Sequence, residues 1–446
     1  MAETTSDETP KLRTTLTFWQ VTATGVGIVI GAGIYVLVGE AAKDAGNGVW
    51  ISFGIAAVLS ALTAMTYAEL TSMFPSAGAE YEYGRHAFNE FFGFIAGWMM
   101  VVAYVVAAAT VSIGFAHYLQ HFVDVDLRIG AIGLLVVLTA VVTAGIERSI
   151  WLSIALAALQ VGGLLLVIAS GAPHIGNRSL VEGASATGVL SAASLVFFAF
   201  IGFDDIATLS EETHDAARVI PRALLATLVI SGTLYILVGI SAVSLVGGDA
   251  LAASDRPLAL VIENDWGNRA AGIIAGLALA ATINTTLLLL TASSRIMFGM
   301  ARQGAMPRAL AHVGKRGQAP YLAAVVGLVF AAMFAAIGNI GLVASVTDFS
   351  VYAIFLMMNA SVIALRFRMP DAPRSMRTPL NIGRVPLLPI AAIATIVLML
   401  VFLDRNAWFL GAGALVAGGG AWLVIGHATP AGPEGTPEPS RPRPSP

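Results

Sequence analysis

Long apolar runs follow one another along almost the whole chain, and they limit its possible folds more than any other feature. Twelve such runs lie between residues 18 and 426, most of them near the length of about 20 residues that crosses a 30 Å hydrocarbon core as a helix. Only 11% of the 446 residues are charged, against about 25% in a soluble domain. The sequence therefore predicts an integral membrane protein and excludes most soluble enzymes and nucleic-acid-binding proteins.

Helices are the predicted form of these runs, which we number as spans 1 to 12 along the chain. Each run is continuously apolar, whereas the strands of a membrane β-barrel would alternate apolar and polar residues. The predicted fold is an all-α integral membrane protein of about 12 transmembrane helices. Their predicted ranges are 18–38, 48–73, 91–121, 129–145, 149–171, 187–210, 219–247, 270–300, 321–337, 342–364, 386–403 and 407–426.

The placement of lysine and arginine predicts the orientation. With the N-terminus inside, 18 of the 24 basic residues fall on the inner side, as expected because cytoplasmic loops are enriched in them. We therefore expect a plasma-membrane protein with both termini in the cytoplasm, residues 1–17 forming one tail without a signal peptide. Residues 428–446 are proline-rich and predicted to be disordered. The six outer basic residues are Lys43, Arg128, Arg178, Arg256, Arg269 and Arg405.

Two of the spans carry residues that interrupt a helix. Span 1 contains four glycines in the segment GIVIGAGIYVLVG, and each glycine costs a helix interior up to about 1 kcal/mol relative to alanine. In span 6, Gly202 is followed by Asp204 and Asp205. A carboxylate at the centre of a membrane helix costs roughly 2.5–3.5 kcal/mol. Two adjacent carboxylates therefore predict a polar cavity, or a helix end that can bond to them.

The two interrupted spans lie five spans apart, which is the spacing of a five-plus-five inverted repeat. In such repeats, substrate binds near the midplane between discontinuous helices. The predicted organisation is a first repeat at 18–171, a second repeat at 187–365, and two further helices at 386–427.

The broken helices offer backbone groups of opposite polarity. The second half of span 1 begins with the N–H groups of Ala32, Gly33 and Ile34, which suit a carboxylate. The first half of span 6 ends with free carbonyl groups over 198–201, which suit an ammonium group. Together they predict a receptor for an α-amino acid. The alternative is that the glycines merely let helices pack closely, although the matched pair of breaks favours a site.

Four segments resemble the amino acid–polyamine–organocation permeases, and among these the cationic amino acid transporter-like members. They are GIVIGAGIYVLVGEAAKDAG, YAELTSMFPSAGAEYEYGRHAF, FFAFIGFDDIATLSEE and SRIMFGMARQGAMPRAL. The resemblance implies secondary active transport or exchange of amino acids by alternating access. It also implies an aromatic side chain, here Phe198, over the substrate. It places the substrate carboxylate on the backbone of Gly31, Ala32 and Gly33, and the ammonium on that of Phe198, Ala199 and Ile201.

Three positions depart from that family's pattern. Gln160 stands in span 5 where proton-coupled relatives carry a lysine, and an amide cannot titrate. We expect its side chain to form a hydrogen-bond bridge between helices. Asp205 and Glu80 stand where relatives usually have small or apolar residues. The coupling ion, proton or sodium, stays open, and no cofactor is predicted.

Several polar and aromatic residues are each compatible with two structural or functional roles. Asp204 is expected to cap a helix end or to handle substrate or protons, and Asp205 fits either role equally. Asn284 and Thr285 in span 8 are expected to bond between helices or to face the coupling-ion position. Tyr104 and Phe203 are expected to line the pocket or gate, although Tyr104 is equally explained by ordinary packing.

Other charged residues have simpler explanations. Asp348 in span 10 is expected to meet water or a polar partner, and Arg295 to pair with a carboxylate such as Glu69 at an inner gate. His117 and His121 have a spacing that could hold a metal, but a wet interfacial helix end explains them more simply. No metal site is predicted.

The predicted function is secondary active transport of amino acids, by symport or exchange, with an amino acid and membrane lipid as the partners. One alternative is a transporter of a related amine or polyamine, and another is a passive facilitator or channel. An enzyme is not expected, because the sequence lacks a His-Glu-x-x-His pair and a Gly-x-Ser-x-Gly elbow. No nucleic-acid partner is predicted, and monomer and homodimer stay open.

Overall fold

The computed structural model describes residues 16–74, 79–144, 150–313 and 319–426. Residues 1–15 of the predicted N-terminal tail and the whole predicted C-terminal tail lie outside these ranges. The predicted all-α membrane fold is confirmed, with a break in span 1 and another in span 6. Within these ranges, eight helical segments are long and apolar enough to cross a membrane, and four shorter apolar helices accompany them.

The helix boundaries lie close to the predicted ones, except that span 1 continues to Ala45. The observed ranges are span 1, Phe18–Val29 and Gly33–Ala45; span 2, Val49–Met73; span 3, Glu90–Leu119; span 4, Leu127–Thr143; span 5, Ile150–Gly171; span 6, Ala186–Val196 with 3-10 segments Phe197–Phe200 and Asp204–Glu212; span 7, Ala216–Val246; span 8, Asn268–Arg302; span 9, Tyr321–Ala335; span 10, Ile340–Arg368; span 11, Leu387–Val401; and span 12, Arg405–Gly426.

Two connections between spans contain additional helices within the described residues. The short helix Ala79–Ala87 lies between spans 2 and 3, and Gly248–Ala252 and Pro257–Trp266 lie between spans 7 and 8. The first of these helices packs closely on span 3. A Cβ added to Gly84 would lie 3.2 Å from backbone atoms of Phe92 and Gly93, so the helix approaches span 3 at a glycine. A two-residue hairpin, Asn381–Ile382 with Val385–Pro386, precedes span 11.

Each break has a local backbone cause. In span 1, Ile30 leaves the helical region at φ −77° and ψ 64°, and the helix resumes at Gly33. In span 6, Ile201 is extended and Gly202 has φ +101°, a conformation that glycine adopts at little cost. The chain then continues from Asp204 as a 3-10 helix rather than the predicted α-helix.

Span 3 lies at the centre of the bundle. In its most apolar stretch, 89% of the residues are buried inside the protein, and it packs against spans 4, 8, 9, 10 and 12. Span 1 packs against span 7, and its second half lies on the first half of span 6. The two interrupted spans are thus neighbours although about 170 residues separate them along the chain.

Candidate functional site

The two breaks are in direct contact. A Cβ added to Gly33 would lie 2.7 Å from the Cα of Ala199, and one added to Gly31 would lie 2.8 Å from the Thr285 hydroxyl oxygen. Because real Cβ atoms essentially never come this close to other atoms, a side chain at Gly33 would push the two backbones apart. The glycines of span 1 therefore serve the approach of its break to span 6 and span 8.

The donor side of the site is smaller than the sequence indicates. The N–H of Gly31 donates to the Val29 carbonyl oxygen at 2.8 Å, and the N–H of Ala32 donates to the Thr285 hydroxyl at 3.2 Å. Within the described ranges, the N–H groups of Gly33 and Ile34 have no acceptor. The expectation that the Ala32 N–H is free is thus wrong, and two donors remain at a positive helix end.

The acceptor side is also partly occupied. The Phe198 carbonyl oxygen accepts from the Ile201 N–H at 3.2 Å, and the Ala199 carbonyl oxygen accepts from the Tyr235 hydroxyl at 3.0 Å. Each of these oxygens can accept a second bond. The carbonyls of Phe200 and Ile201 accept no hydrogen bond from any described residue. Of the three residues to which the sequence assigns the ammonium, Phe198, Ala199 and Ile201, it is Ile201 whose carbonyl accepts no hydrogen bond within the described ranges.

Tyr235 is a site residue that the sequence did not reveal. Its hydroxyl lies 2.8 Å from the Val29 carbonyl oxygen of span 1 and 3.0 Å from the Ala199 carbonyl oxygen of span 6. The side chain is fully buried in span 7. A single hydroxyl proton thus serves the ends of both first halves, and no sequence pattern distinguishes this tyrosine from one packed in an apolar helix.

The two adjacent carboxylates have different partners. An oxygen of Asp204 accepts from the N–H of Gly202 at 3.2 Å, so this side chain bonds to the break itself. An oxygen of Asp205 accepts from the hydroxyl of Tyr104 at 2.6 Å, which joins span 6 to span 3. Glu80, on the short helix Ala79–Ala87, completes an acidic group with them. Burial, aided by the negative charge of Asp205, raises the pKa of Glu80 to about 7.

Aromatic rings cover one side of the break. Phe203 is fully buried, with its ring 5.9 Å from that of Tyr67 and 5.4 Å from that of Phe355. Phe198, expected to cover the substrate, is only 6% exposed. Phe203 thus belongs to an aromatic layer shared by spans 2, 6 and 10.

Gln160 does not form the expected side-chain bridge. It is 1% exposed, and neither its amide oxygen nor its amide nitrogen has a partner in the part of the chain that the structure describes. Span 5 is instead joined to span 1 through the main chain, since the Tyr35 hydroxyl donates to the Gln160 carbonyl oxygen at 2.7 Å. In span 8, Thr285 bonds to the break, and Asn284 is buried beside it.

The expected pairing of Glu69 with Arg295 is wrong. Glu69 accepts from the Arg366 guanidinium at 2.6 and 2.7 Å, and from the Thr378 N–H at 2.8 Å. Arg374 lies 3.3 Å from the same carboxylate. Spans 2 and 10 end side by side, which brings together residues about 300 positions apart, a juxtaposition that local spacing could not indicate.

Asp348 also differs from expectation. It is fully buried, and both of its carboxylate oxygens lack a hydrogen-bond partner among the described residues. Near the other face, the imidazole of His117 lies 3.9 Å from Asp255. Within the described ranges, no group of three or more His, Asp or Glu side chains could hold a metal.

The sequence is similar to one family over nearly its whole length. The family described as "Amino acid permease" matches residues 16–417. A branched-chain amino acid permease of Bacillus subtilis is 30% identical, over 93% of this chain and 92% of that protein. A methylthioribose transporter of Bacillus subtilis is 30% identical, over 85% and 86%. Cationic amino acid transporter 4 of Homo sapiens is 30% identical, over 82% of this chain and 61% of that protein.

Proposed function

The chain belongs to the amino acid permease family, and on this premise we propose that it binds amino acids between its two broken spans and carries them by alternating access. It is a multi-pass membrane transporter rather than an enzyme. The small-molecule substrate is an amino acid. Symport and exchange are the modes proposed, with uptake across the plasma membrane.

Free backbone groups of opposite polarity are the observation that carries the proposed site. Among the described residues, the N–H groups of Gly33 and Ile34 have no acceptor at this helix start, and we assign the substrate carboxylate to them. The carbonyls of Phe200 and Ile201 on the facing span likewise accept no hydrogen bond from the described residues, and we assign the ammonium to this cluster, which Phe198 and Ala199 complete. Because only main-chain groups are used, the site recognises what all α-amino acids share.

Hydrogen bonds between the broken spans and their neighbours define what moves. The Ala32–Thr285 bond joins span 1 to span 8, and the Tyr104–Asp205 bond joins span 6 to span 3. In the proposed cycle, spans 1, 2, 6 and 7 rock against the rest, so both bonds break and re-form. Asp204 keeps the break of span 6 in shape through Gly202.

The proposed topology has both termini in the cytoplasm and repeats at 18–171 and 187–365, followed by two helices at 386–427. The Glu69–Arg366 ion pair supports it, because it holds the ends of spans 2 and 10 at one face. That is the face the arginine distribution predicts to be cytoplasmic. Gln160 and Asn284 are proposed to line the polar region between spans 1, 5 and 8.

Counterflow in proteoliposomes tests the proposed function. The purified full chain is reconstituted, vesicles are loaded with an unlabelled amino acid, and entry of the labelled one is measured. A carrier accelerates entry when substrate is present on the far side, whereas a channel does not. The panel includes branched-chain and cationic amino acids, since relatives with both names match this chain.

A matched trio of competitors tests the two-ended site. For the best substrate, we compare the amino acid with its decarboxylated amine and its deaminated acid. Because each analogue lacks one charged end, neither should inhibit at concentrations where the amino acid saturates. Equal inhibition by the amine would contradict the carboxylate assignment and favour an amine or polyamine carrier.

A further inference from the structure

Asp348 is a buried carboxyl group that the proposed binding site does not use. It lies eight residues into span 10, or about 12 Å along the helix, with no exposed surface. Both oxygens lack a hydrogen-bond partner among the described residues. An ionised carboxylate in such surroundings loses its hydration without compensation. The neutral acid avoids most of that cost, and its O–H can turn to a carbonyl of its own helix, as the Ser350 hydroxyl does.

No counter-charge reaches Asp348 in the described structure. The hydroxyls beside it bond to their own helix, Thr347 to the Val343 carbonyl and Ser350 to the Val346 carbonyl. Titratable groups on or beside the elements that pack against span 10 include Glu40, Tyr67, Glu69, Tyr83, Tyr104 and Asp404.

These groups are engaged elsewhere or lie far along the helix. Glu40 lies beside Gly341, seven residues before Asp348, which is about 10 Å along the axis. Glu69 pairs with Arg366, 18 residues beyond Asp348, which is about 27 Å. The Asp404 carboxylate accepts hydrogen bonds from the backbone N–H groups of Asn406 and Ala407 at the start of span 12.

The face of span 10 that carries Asp348 packs on the interrupted span. Tyr352 lies four residues later and therefore on the same face. Its hydroxyl donates to the Ser194 carbonyl oxygen of span 6 at 3.1 Å, and its ring lies 4.7 Å from that of Phe197. Phe197 adjoins Phe198 at the proposed site. The face of span 10 that carries Asp348 is therefore in contact with the first half of span 6.

We propose that Asp348 is a proton-binding site that couples transport to a pH gradient. The inference rests on the proposed amino acid transport. In the closed conformation the Asp348 side chain is stable only in its neutral, protonated form. In a conformation that admits water to this face, the ionised carboxylate is stable as well. Proton binding therefore favours closure. A proton from water on one side neutralises the carboxylate, and it leaves to water on the other side when the face is hydrated again.

The neutral amide at Gln160 removes span 5 as the source of a titratable group in a proton-coupled cycle. Its side chain is buried and without a partner among the described residues, but an amide neither gains nor loses a proton at physiological pH. Span 5 thus contributes no titratable group at that position, whereas span 10 contributes one that is sequestered beside the moving span.

Asp348→Asn tests the proposal, because asparagine imitates the protonated side chain permanently. Thr347→Val is the matched control, since it removes a buried hydroxyl from the neighbouring position of the same helix. Proteoliposomes containing the full chain are assayed twice, for counterflow without a pH gradient and for accumulation driven by an acidic exterior. With one proton per substrate, a gradient of about one pH unit supports accumulation of up to about tenfold.

The expected result separates exchange from coupling. Asp348→Asn keeps counterflow within about twofold of the parent rate and loses pH-driven accumulation, while Thr347→Val keeps both. The proposal is overturned if Asp348→Asn accumulates substrate as the parent does, or if the parent exchanges substrate but ignores the gradient. It is also overturned if Asp348→Asn fails to fold while Thr347→Val folds, because the carboxylate then has a structural role. Absence of counterflow in the parent would instead refute the proposed function.

Discussion

The hydroxyl of Tyr235 lies 3.0 Å from the carbonyl oxygen of Ala199, at the point where the first half of span 6 ends. The same hydroxyl lies 2.8 Å from the Val29 carbonyl oxygen, where the first half of span 1 ends. One side chain of span 7 thus holds both interrupted helices. Because neither half can continue its own hydrogen-bond ladder, a donor from a third helix replaces the missing N–H groups.

Tyr235→Phe should weaken transport without preventing folding. The change removes one hydroxyl from a fully buried site and leaves two carbonyls with a poorer set of donors, a loss of about 1 kcal/mol. We expect the apparent substrate affinity in counterflow to fall by up to about fivefold. Tyr321→Phe is the control, because Tyr321 is 45% exposed. An unchanged affinity in Tyr235→Phe would show that the hydroxyl does not organise the site.

Gly33→Ala should abolish transport through a single methyl group. The new Cβ would lie 2.7 Å from the Cα of Ala199, so the two backbones must separate and the free donors of span 1 move away from the carbonyls of span 6. Gly276→Ala in span 8 is the matched control, since no atom lies within 4 Å of its Cβ position. Counterflow after purification measures both. Normal transport by Gly33→Ala would contradict the placement of the substrate site at the contact between Gly33 and Ala199.

Tyr104 and Asp205 should be energetically coupled. A hydroxyl donating to a carboxylate at 2.6 Å contributes about 1.5–3 kcal/mol when buried. We expect Tyr104→Phe and Asp205→Asn each to lower the thermal stability of the purified protein. The double variant should lose little more than either single one, because both remove the same interaction. Fully additive losses would show that the two residues act separately.

Glu69→Gln should be strongly destabilising. The change leaves the Arg366 guanidinium buried against a neutral amide, and Arg374 also loses its carboxylate. Removing one partner of a buried ion pair costs about 3–5 kcal/mol, measured as loss of thermal stability in detergent. Glu82→Gln is the control, because the Glu82–Arg85 pair is partly exposed and such a pair contributes about 0–1 kcal/mol. Equal losses in the two variants would contradict the structural role of Glu69.

The positions of the helices could be predicted because bilayer thickness fixes the length of an apolar run. The breaks were also predictable, since glycines in span 1 and adjacent carboxylates in span 6 are costly in a continuous membrane helix. Neither signal depends on which helices become neighbours. This is why Gly33 and Asp204 could be singled out from the sequence before any contact was known.

The partners of individual groups could not be predicted, because they depend on contacts between distant segments. The Thr285 hydroxyl accepts a hydrogen bond from the Ala32 N–H, although 253 positions along the chain separate the two residues. Glu69 and Arg366 form an ion pair across 297 positions. Tyr235 carries no local signal, since a tyrosine in an apolar helix usually packs like its neighbours. The short helix Ala79–Ala87 was not predicted either, and it also packs against span 10, which lies far along the chain.

Glu80 should make the stability of the protein depend on pH around neutrality. Its pKa rises from its ordinary value near 4.5 to about 7 on burial, so the folded protein holds a proton that the unfolded chain releases. Stability is therefore greatest below about pH 4.5 and decreases as pH rises to about 7, by at most about 1.4 kcal/mol per pH unit. Glu80→Gln should flatten a series of melting temperatures measured from about pH 5 to about pH 8. Glu90→Gln is the control, because Glu90 lies on the exposed first turn of span 3. A Glu80→Gln series as steep as that of the parent would show that Glu80 is ionised in the folded protein throughout this range.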